Sequence, residues 1–152
     1  METLQRLTRR QVDTLRAVEV RETPERGVSL KLAAASLRVR PPSALSHLTS
    51  LEELGLIARY RGKSRLTPRG RRTLVEYHRH HRVAESLFGG LGLPAAETCA
   101  AAREIDLALS HHTVEELCRA QRHPTLCPHG EPIVPCAGSK ASAPADGPGR
   151  QE

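Results

Sequence analysis

Residues 40–66 read RPPSALSHLTSLEELGLIARYRGKSRL, and this stretch decides the fold because it joins a helix to a basic hairpin. Pro41 and Pro42 stand where a helix begins, and Gly55 stands where it ends. Leucines at positions 45, 48, 51 and 54 predict the buried stripe of that helix. The opposite side then carries small polar groups that suit the major groove of DNA, namely Ser43, Ser46, His47 and Ser50.

The hairpin is predicted from two short extended segments around Gly62. Basic side chains alternate along it, and a period of two predicts all four on one face: Arg59, Arg61, Lys63 and Arg65. A polar-faced helix before a basic hairpin is the order of a winged helix-turn-helix, in which the third helix enters the major groove and the wing contacts phosphates. The alternative is a solvated basic hairpin without a partner.

The remaining helices are predicted from their capping residues. Thr8 begins a helix over residues 8–21, and Ser29 begins a second one through Leu37. After the hairpin, Thr67 and Pro68 start a long helix over 68–91. Pro94 opens a further helix to about Ala108, and Thr113 caps the last one, with His111 and His112 in the turn before it.

These elements predict a mainly α protein with an N-terminal winged helix-turn-helix followed by an all-helical dimerisation and metal-sensing domain. We expect domains at residues 1–72 and 73–136. Residues 137–152 are rich in Gly, Pro, Ser and Ala without periodicity, which predicts a disordered tail.

Charge divides the chain into two halves. Residues 1–82 hold 18 Lys and Arg against 8 Asp and Glu, whereas residues 83–152 hold 5 against 9. The first half is therefore expected to face a polyanion. Aromatic residues make up only 2% of the chain, which argues against base stacking on single strands or RNA.

Composition also bounds location and chemistry. No apolar run approaches about 20 residues and no signal peptide opens the chain, so the expected location is the cytoplasm. No nucleophile with a base and no phosphate-binding glycine loop is present, so an enzyme is not expected.

Seven of the eight histidines and all four cysteines lie between His78 and Cys136. Cys127, His129 and Cys136, with Cys118 or His123, could form a zinc site in the C-terminal segment. A packed turn or exposed thiols are the alternatives. A redox switch between Cys99 and Cys118 is a further reading, although no CxxC motif supports it.

The chain also resembles a known family. The residues that carry this resemblance are Leu66-Thr67-Pro68-Arg69-Gly70, His81-Arg82-Val83-Ala84-Glu85, Gly92-Leu93 and Cys127-Pro128-His129-Gly130-Glu131-Pro132-Ile133. Over residues 8–135 the chain is similar to the diphtheria toxin repressor family of metal-dependent regulators. The resemblance implies an iron- or manganese-responsive homodimer on a palindromic operator, in a form too short for the SH3-like domain that many members add.

The resemblance implies an ancillary metal site at His81, Glu85 and Cys99, where Cys99 stands in place of the family's histidine. His81 and Glu85 are four residues apart and share a helix face, and a thiolate would shift the preference toward Fe(II) or Zn(II).

The family's primary metal site is degenerate here, because its positions hold Arg10, Arg103, Asp106 and Leu107. Only Asp106 can still bind a metal. Asp13, one turn after Arg10, leaves open a rearranged site of Asp13, His81 and Asp106. Alternatively, an ion pair of Arg103 with Asp106 or Glu85 could imitate the bound metal.

The sequence thus predicts a metal-dependent transcriptional regulator, acting as a repressor of metal homeostasis genes, with Fe(II) or Mn(II) as its cation and Zn(II) as an alternative. Its expected DNA contacts in the major groove are Arg40, Pro42, Ser43, Ser46 and His47. Those on phosphates or in the minor groove are Arg59, Arg61, Lys63 and Arg65. Two rival functions stay open: a metal-independent or thiol-responsive winged-helix regulator, and a small metal-binding protein that does not read DNA.

Overall fold

The computed structural model describes residues 3–136, and the predicted tail at 137–152 lies outside them. After a short 3-10 turn at Leu4–Arg6, the elements in chain order are α1 (Arg9–Arg21), β1 (Val28–Ser29), α2 (Leu30–Leu37), α3 (Pro41–Glu53), β2 (Ile57–Tyr60), β3 (Lys63–Leu66), α4 (Pro68–Gly90), α5 (Ala95–Ile105) and α6 (His111–Ala120). The prediction of a mainly α chain with a winged helix and a helical second half is confirmed.

Three predicted helix starts are confirmed by their caps. The side-chain oxygens of Thr8, Ser29 and Thr67 accept hydrogen bonds from backbone amides three residues later, at 3.2, 3.3 and 3.0 Å. Each bond satisfies an amide that would otherwise lack a partner at the helix end, so local sequence alone sets where these helices begin.

Two predicted helix boundaries are wrong, namely the end of α5 and the start of α6. Helix α5 ends at Ile105 instead of Ala108. The cap of α6 is Ser110, whose hydroxyl accepts from the amide of Thr113 at 3.0 Å, so His111 and His112 form the first turn of the helix. Both Ser110 and Thr113 are good capping residues, and packing of Val114 and Cys118 selects the earlier start.

The three strands form one antiparallel sheet in the order β1-β3-β2. The sequence predicted the β2–β3 hairpin but not β1, which contributes only two residues. Arg61 and Gly62 form the turn of the hairpin, with φ values of 47° and 71°. Two consecutive positive φ values are typical of the tight turns that match the twist of a hairpin.

The expectation that the four basic residues of the wing share one face is wrong. Across the hairpin, Arg65 pairs with Ala58 and Lys63 with Tyr60, while Arg59 pairs with Ser64. Directly opposite residues in an antiparallel pair project to the same side. Arg59 therefore lies on the face opposite Lys63 and Arg65, because the two-residue turn changes which positions share a face.

The winged helix has its own hydrophobic core. Helix α3 contributes Ala44, Leu48 and Leu51 to it, whereas Leu45 and Leu54 are each 38% exposed. The stripe predicted from leucine spacing was therefore displaced by one position at its N-terminal end. The largest fully buried side chains of this core are Leu4, Leu15, Leu48, Leu51, Leu56, Ile57, Leu74 and Tyr77.

Helix α4 links the two halves. Its first part packs Leu74 and Tyr77 into the winged-helix core, and its second part packs against α5 and α6. A second small core lies there, built from Val83, Val114, Cys118, Cys127, Ile133 and Cys136. The helix runs through the predicted boundary at residue 72, so the two halves share one continuous helix. None of the helices within residues 3–136 has the length and hydropathy needed to cross a bilayer.

Candidate metal centre and DNA-binding surface

The three residues of the predicted ancillary site lie together between α4 and α5. His81 and Glu85 are one turn apart on α4, and His81 Nε2 is 3.6 Å from Glu85 Oε1. Cys99 of α5 places its Sγ 3.4 Å from the same Nε2. The donor atoms of all three residues lie within 4.8 Å of one another, which is the separation expected around one cation.

Two further donors reach this site from the turn that follows α6. His129 Nδ1 lies 3.0 Å from Glu85 Oε1, and Cys127, His129 and Glu85 form a second group within 4.8 Å. We call the five residues His81, Glu85, Cys99, Cys127 and His129 the five-donor cluster. Glu85 belongs to both groups and is 3% exposed. Spacing along the chain gave no indication of this, because the turn reaches Glu85 only through tertiary packing.

The predicted group of Cys127, His129 and Cys136 does not form. Cys136 instead lies with Cys118 and His123, as a separate set of donors within 4.8 Å. Because the turn at residues 127–130 faces α4 while Cys136 faces α6, the chain divides the predicted site into two.

Asp106 orients the imidazole of His81. His81 Nδ1 lies 2.8 Å from Asp106 Oδ2, so Nδ1–H donates to this carboxylate and Nε2 is directed to Cys99 and Glu85. Asp106 is fully buried and also forms an ion pair with Arg9. Burial would raise the pKa of Asp106, but hydrogen bonds from His81 and Arg9 outweigh it and lower the pKa. A carboxylate behind a ligating imidazole is a common way to fix its ring orientation.

The cluster is chemically suited to a divalent cation. Glu85 is a buried carboxylate, and among residues 3–136 its ion-pair partners are the two histidines and no Lys or Arg. Burial, and then the nearby Glu85, raise the pKa of Cys99; burial also raises that of Cys127. Both thiols thus keep their protons until a cation replaces them. Two imidazoles, a carboxylate and two thiols fit Fe(II) or Zn(II) better than Mn(II).

The degenerate primary site is filled by ion pairs. Arg9, not Arg10 or Arg103, pairs with Asp106, and it also donates to the backbone carbonyl of Arg103. Arg103 pairs with Asp13, its Nη2 lying 3.1 and 3.2 Å from the two carboxylate oxygens. The expected Arg103–Asp106 or Arg103–Glu85 pair is therefore wrong in its partners.

The rearranged set of Asp13, His81 and Asp106 is brought together only in part. His81 and Asp106 are in contact, but Asp13 joins no group of three donors in the described part of the chain, because Arg103 holds its carboxylate. Leu107 packs against the winged-helix core.

The exposed face of α3 carries the residues expected at DNA. Arg40, Pro42, Ser43 and Ser46 are exposed and His47 is half-buried. A shallow cleft on this face also includes Leu45 and Thr49, which sequence reasoning placed elsewhere or omitted. Drawing positions 42, 45, 46 and 49 on a helical wheel would have found them. Such methyl-bearing side chains can contact the thymine methyl group in the major groove.

Two of the four basic wing residues are used within the protein. Arg59 Nη1 donates to Thr49 Oγ1 at 3.4 Å and lies 3.7 Å from Glu52. Arg65 donates to the carbonyl of Pro24 at 3.1 Å. At the tip, the guanidinium of Arg61 lies 5.1 Å from the ring centre of Tyr60, whose side chain is 72% exposed. Arg61, Lys63 and Tyr60 therefore form the outward surface of the wing.

Comparison with known proteins gives both a family match and structural matches. A model described as "Iron dependent repressor, metal binding and dimerisation domain" matches residues 67–135. A hypothetical protein from Sulfolobus solfataricus has a TM-score of 0.78 at 25% identity, over 84% of this chain and 99% of that chain. No curated protein matches the chain.

Two named regulators share the fold. IdeR of T. acidophilum has a TM-score of 0.64 at 26% identity, over 84% of this chain and 59% of that one. A manganese-dependent transcriptional repressor in complex with manganese has a TM-score of 0.67 at 28% identity, over 82% and 57%. The chain thus spans less than two thirds of either regulator. Together with the motifs and the winged-helix architecture, these matches support the similarity of this chain to the diphtheria toxin repressor family.

Proposed function

We propose that this protein is a metal-dependent, DNA-binding transcriptional regulator that represses metal homeostasis genes as a homodimer on a palindromic operator. One observation carries the proposal: the donor atoms of His81, Glu85 and Cys99 converge between α4 and α5, next to an ion pair that reaches α1 of the winged helix. The family, with its iron and manganese regulators, supports the same reading.

His81, Glu85 and Cys99 are proposed as the first ligands, with Cys127 and His129 completing the shell through Glu85. A divalent cation bound there would supply the positive charge that neutralises Glu85 and displaces the thiol protons. Fe(II) fits both the family and the thiol donors. Mn(II) fits the family, and Zn(II) fits the donors. Asp106 acts as a positioning residue for His81, and Asp13 is held in its ion pair with Arg103.

DNA would be contacted from two surfaces. The face of α3 with Pro42, Ser43, Ser46 and His47, extended by Arg40 at its start, is proposed to enter the major groove. On the wing, Arg61 and Lys63 are proposed to contact phosphates, while Arg59 and Arg65 position the wing through their contacts within the protein. A two-fold dimer would present two such surfaces to two half-sites. Because a transcriptional regulator must reach chromosomal DNA, we propose that this protein acts in the cytoplasm.

Regulation would follow from the contacts between the halves. His81 connects through Asp106 to Arg9, which begins α1. A cation bound by ligands from α4, α5 and the C-terminal turn would hold these elements together. If the cation binds more tightly to the arrangement that binds DNA, its binding raises the affinity for DNA, and DNA binding raises the affinity for the cation by the same factor.

A metal-independent regulator is the competing function, and a specific observation favours it. The Arg9–Asp106 and Arg103–Asp13 pairs already join α1 to α5 without a cation. A metal-binding protein that does not read DNA is the second competitor, in which the basic half would contact an acidic protein.

Operator selection from a random duplex pool separates these functions. The protein is incubated at fixed salt under anaerobic, reducing conditions with chelator, Fe(II), Mn(II) or Zn(II). The expected result is one palindrome enriched only with a cation. Glu85→Gln should abolish that enrichment, whereas the matched change Glu76→Gln on the same helix should retain it. Enrichment with chelator would establish the metal-independent regulator, and no enrichment under any condition would contradict DNA reading.

A further inference from the structure

A second set of donors, which shares no residue with the five-donor cluster, lies between α6 and the end of the described chain. Cys118 is on α6, His123 follows that helix, and Cys136 comes at residue 136. Cys136 Sγ is 3.1 Å from His123 Nδ1, and Cys118 Sγ is 3.8 Å from the same nitrogen. All three donor atoms lie within 4.8 Å of one another.

These separations match a zinc site. With Zn–S near 2.3 Å and Zn–N near 2.0–2.1 Å, tetrahedral geometry places a sulfur and a nitrogen about 3.5 Å apart. The two observed sulfur–nitrogen distances lie on either side of that value. A donor set of two sulfurs and one imidazole is the soft combination that prefers Zn(II) over Mg(II), Ca(II) or Mn(II).

The backbone is shaped to bring His123 to the two cysteines. Arg122 and His123 both have positive φ, of 60° and 58°, which is uncommon for residues with side chains. The amide of His123 donates to the carbonyl of Cys118 at 2.8 Å, which turns the chain back over the end of α6. The turn thus faces Nδ1 toward both sulfurs.

The core around these donors is small. Among residues 3–136 it contains three cysteines beside Val83, Val114 and Ile133, with Leu109 and Leu117 partly buried at its margin. Small cores of this size usually depend on a metal or a disulfide. Cys118 is a thiol and not half of a disulfide, and burial is the main reason that its pKa is raised.

We propose that Cys118, His123 and Cys136 form a structural zinc site that fastens residues 124–136 to α6, with a water in the fourth position. Within the described residues no other Cys, His, Asp or Glu joins the group. By fixing this segment, the zinc would also fix Cys127 and His129 against Glu85. The site itself does not depend on the regulatory proposal, since its donors are separate from the five-donor cluster.

Cobalt substitution tests the site in full-length protein. Because the five-donor cluster also contains thiols, the experiment starts from the double variant Cys99→Ser with Cys127→Ser. In this background any thiolate-to-Co(II) charge-transfer band must come from Cys118 and Cys136. We expect a band that saturates at one Co(II) per chain and is displaced by Zn(II). Adding Cys118→Ser should remove it, whereas adding His112→Ala should leave it unchanged.

Two further measurements keep the result interpretable if a variant folds poorly. In the chelated wild-type chain, two equivalents of Zn(II), enough for this site and the five-donor cluster, should slow alkylation of Cys136 at least 10-fold. His123→Ala should weaken Zn(II) binding by at least about 10-fold, since the loss of a direct ligand exceeds typical outer-shell effects. Absence of the charge-transfer band in the folded double variant, or equal alkylation rates with and without Zn(II), would overturn the proposal. Neither result would bear on metal-dependent operator binding.

Discussion

At the scale of single residues, His80 is an unusual buried group. It is fully buried on α4, and burial is the main reason that its pKa is lowered to about 4. Neither ring nitrogen makes a well-formed hydrogen bond with a side chain among the described residues. Nε2 lies 3.9 Å from Glu76 Oε1, and Glu76 and His111 are close enough to share a ligand with His80. The neutral ring therefore carries polar atoms whose desolvation is not compensated within the protein.

Changing His80 to leucine should therefore stabilise the protein. Leucine has a similar volume and no polar atoms, so replacing the imidazole should raise the free energy of unfolding by about 1 kcal/mol. Urea unfolding with chelator present measures this, with His112→Leu, at an exposed position of α6, as the control. A loss of stability in His80→Leu would instead mean that a water or ion bridges His80, Glu76 and His111 in solution.

Glu19 makes a pH-dependent link between α1 and α4. His78 Nε2 lies 2.8 Å from Glu19 Oε2, and this hydrogen bond is the largest influence on Glu19, whose pKa is lowered although burial opposes it. A carboxylate with a lowered pKa stabilises the fold above its ordinary titration range. That stability is lost as the pH falls through the lowered pKa.

The variant Glu19→Gln should thus be less stable than wild type at pH 7, and the difference should shrink as the pH falls below the ordinary titration range of a glutamate. Solvent screens the pair, since the Glu19 side chain is 36% exposed, so the expected difference at pH 7 is about 0.5–1 kcal/mol. Urea unfolding across this pH range measures it, with Glu25→Gln, in an exposed loop, as the control. A difference that persists unchanged at pH 3 would contradict the link.

At the scale of elements, capping residues explain most of what could be predicted. Thr8, Ser29 and Thr67 set their helix starts through local hydrogen bonds, so sequence alone located them. Which basic residues of the wing share a face depends on the turn of the hairpin. The exposure of Leu45 depends on how α3 packs. Those are tertiary properties, and leucine spacing or simple alternation did not predict them.

In the candidate metal site, too, sequence predicted the local features and missed those that depend on tertiary packing. His81 and Glu85 share one helix face, so a motif could reveal them. The convergence of Cys127 and His129 on Glu85 depends on a turn that folds back across α4, which no local pattern encodes. Likewise, Asp106 pairs with Arg9 and not with Arg10, the residue at the family's primary-site position. The rotation of α1 decides which of these two neighbours faces Asp106.

The junction of α4 with β2 should be sensitive to a single methyl group. A Cβ on Gly70 would lie 2.0 Å from the backbone oxygen of Leu56, whereas a Cβ on Gly90 would meet nothing within 4 Å. Gly70→Ala should therefore lower the free energy of unfolding by at least about 2 kcal/mol. Gly90→Ala, at the end of the same helix, should leave it unchanged or raise it by about 0.5 kcal/mol. Thermal unfolding compares the two, and equal effects would contradict the close packing at Gly70.

The tip of the wing should determine the salt dependence of DNA binding. Arg61 and Lys63 project outward, so each is expected to neutralise one phosphate. Arg61→Ala and Lys63→Ala should each flatten the plot of log affinity against log salt by about 0.9. Arg119→Ala, on α6, removes the same charge elsewhere and serves as the control. An unchanged slope in both wing variants would exclude the wing from the DNA contact.

At the scale of the whole molecule, the buried carboxylate of Asp106 is one of the points where the two halves meet. Asp106 contacts His81 of the five-donor cluster on one side and Arg9 at the start of α1 on the other. Two of the positions that the resemblance assigns to a second metal, Arg103 and Asp106, are here held in ion pairs with Asp13 and Arg9 of α1. We therefore expect a single regulatory cation in this chain, with Asp106 linking the five-donor cluster to α1 of the winged helix.

That arrangement predicts how metal binding and DNA binding can be separated. Arg9→Gln removes the link from Asp106 to α1 but leaves all five donors of the cluster in place. Metal affinity should thus change by less than about 10-fold. The gain in operator affinity on adding metal, typically between 5- and 150-fold for coupled sites, should fall toward onefold. Fluorescence anisotropy with and without metal measures this gain, and circular dichroism confirms that the variant is folded. Arg10→Gln is the matched control, because Arg10 lies next to Arg9 on α1 and has an exposed side chain that does not pair with Asp106. If Arg9→Gln kept the full gain, the signal would have to pass along α4 itself, through Leu74 and Tyr77 into the winged-helix core.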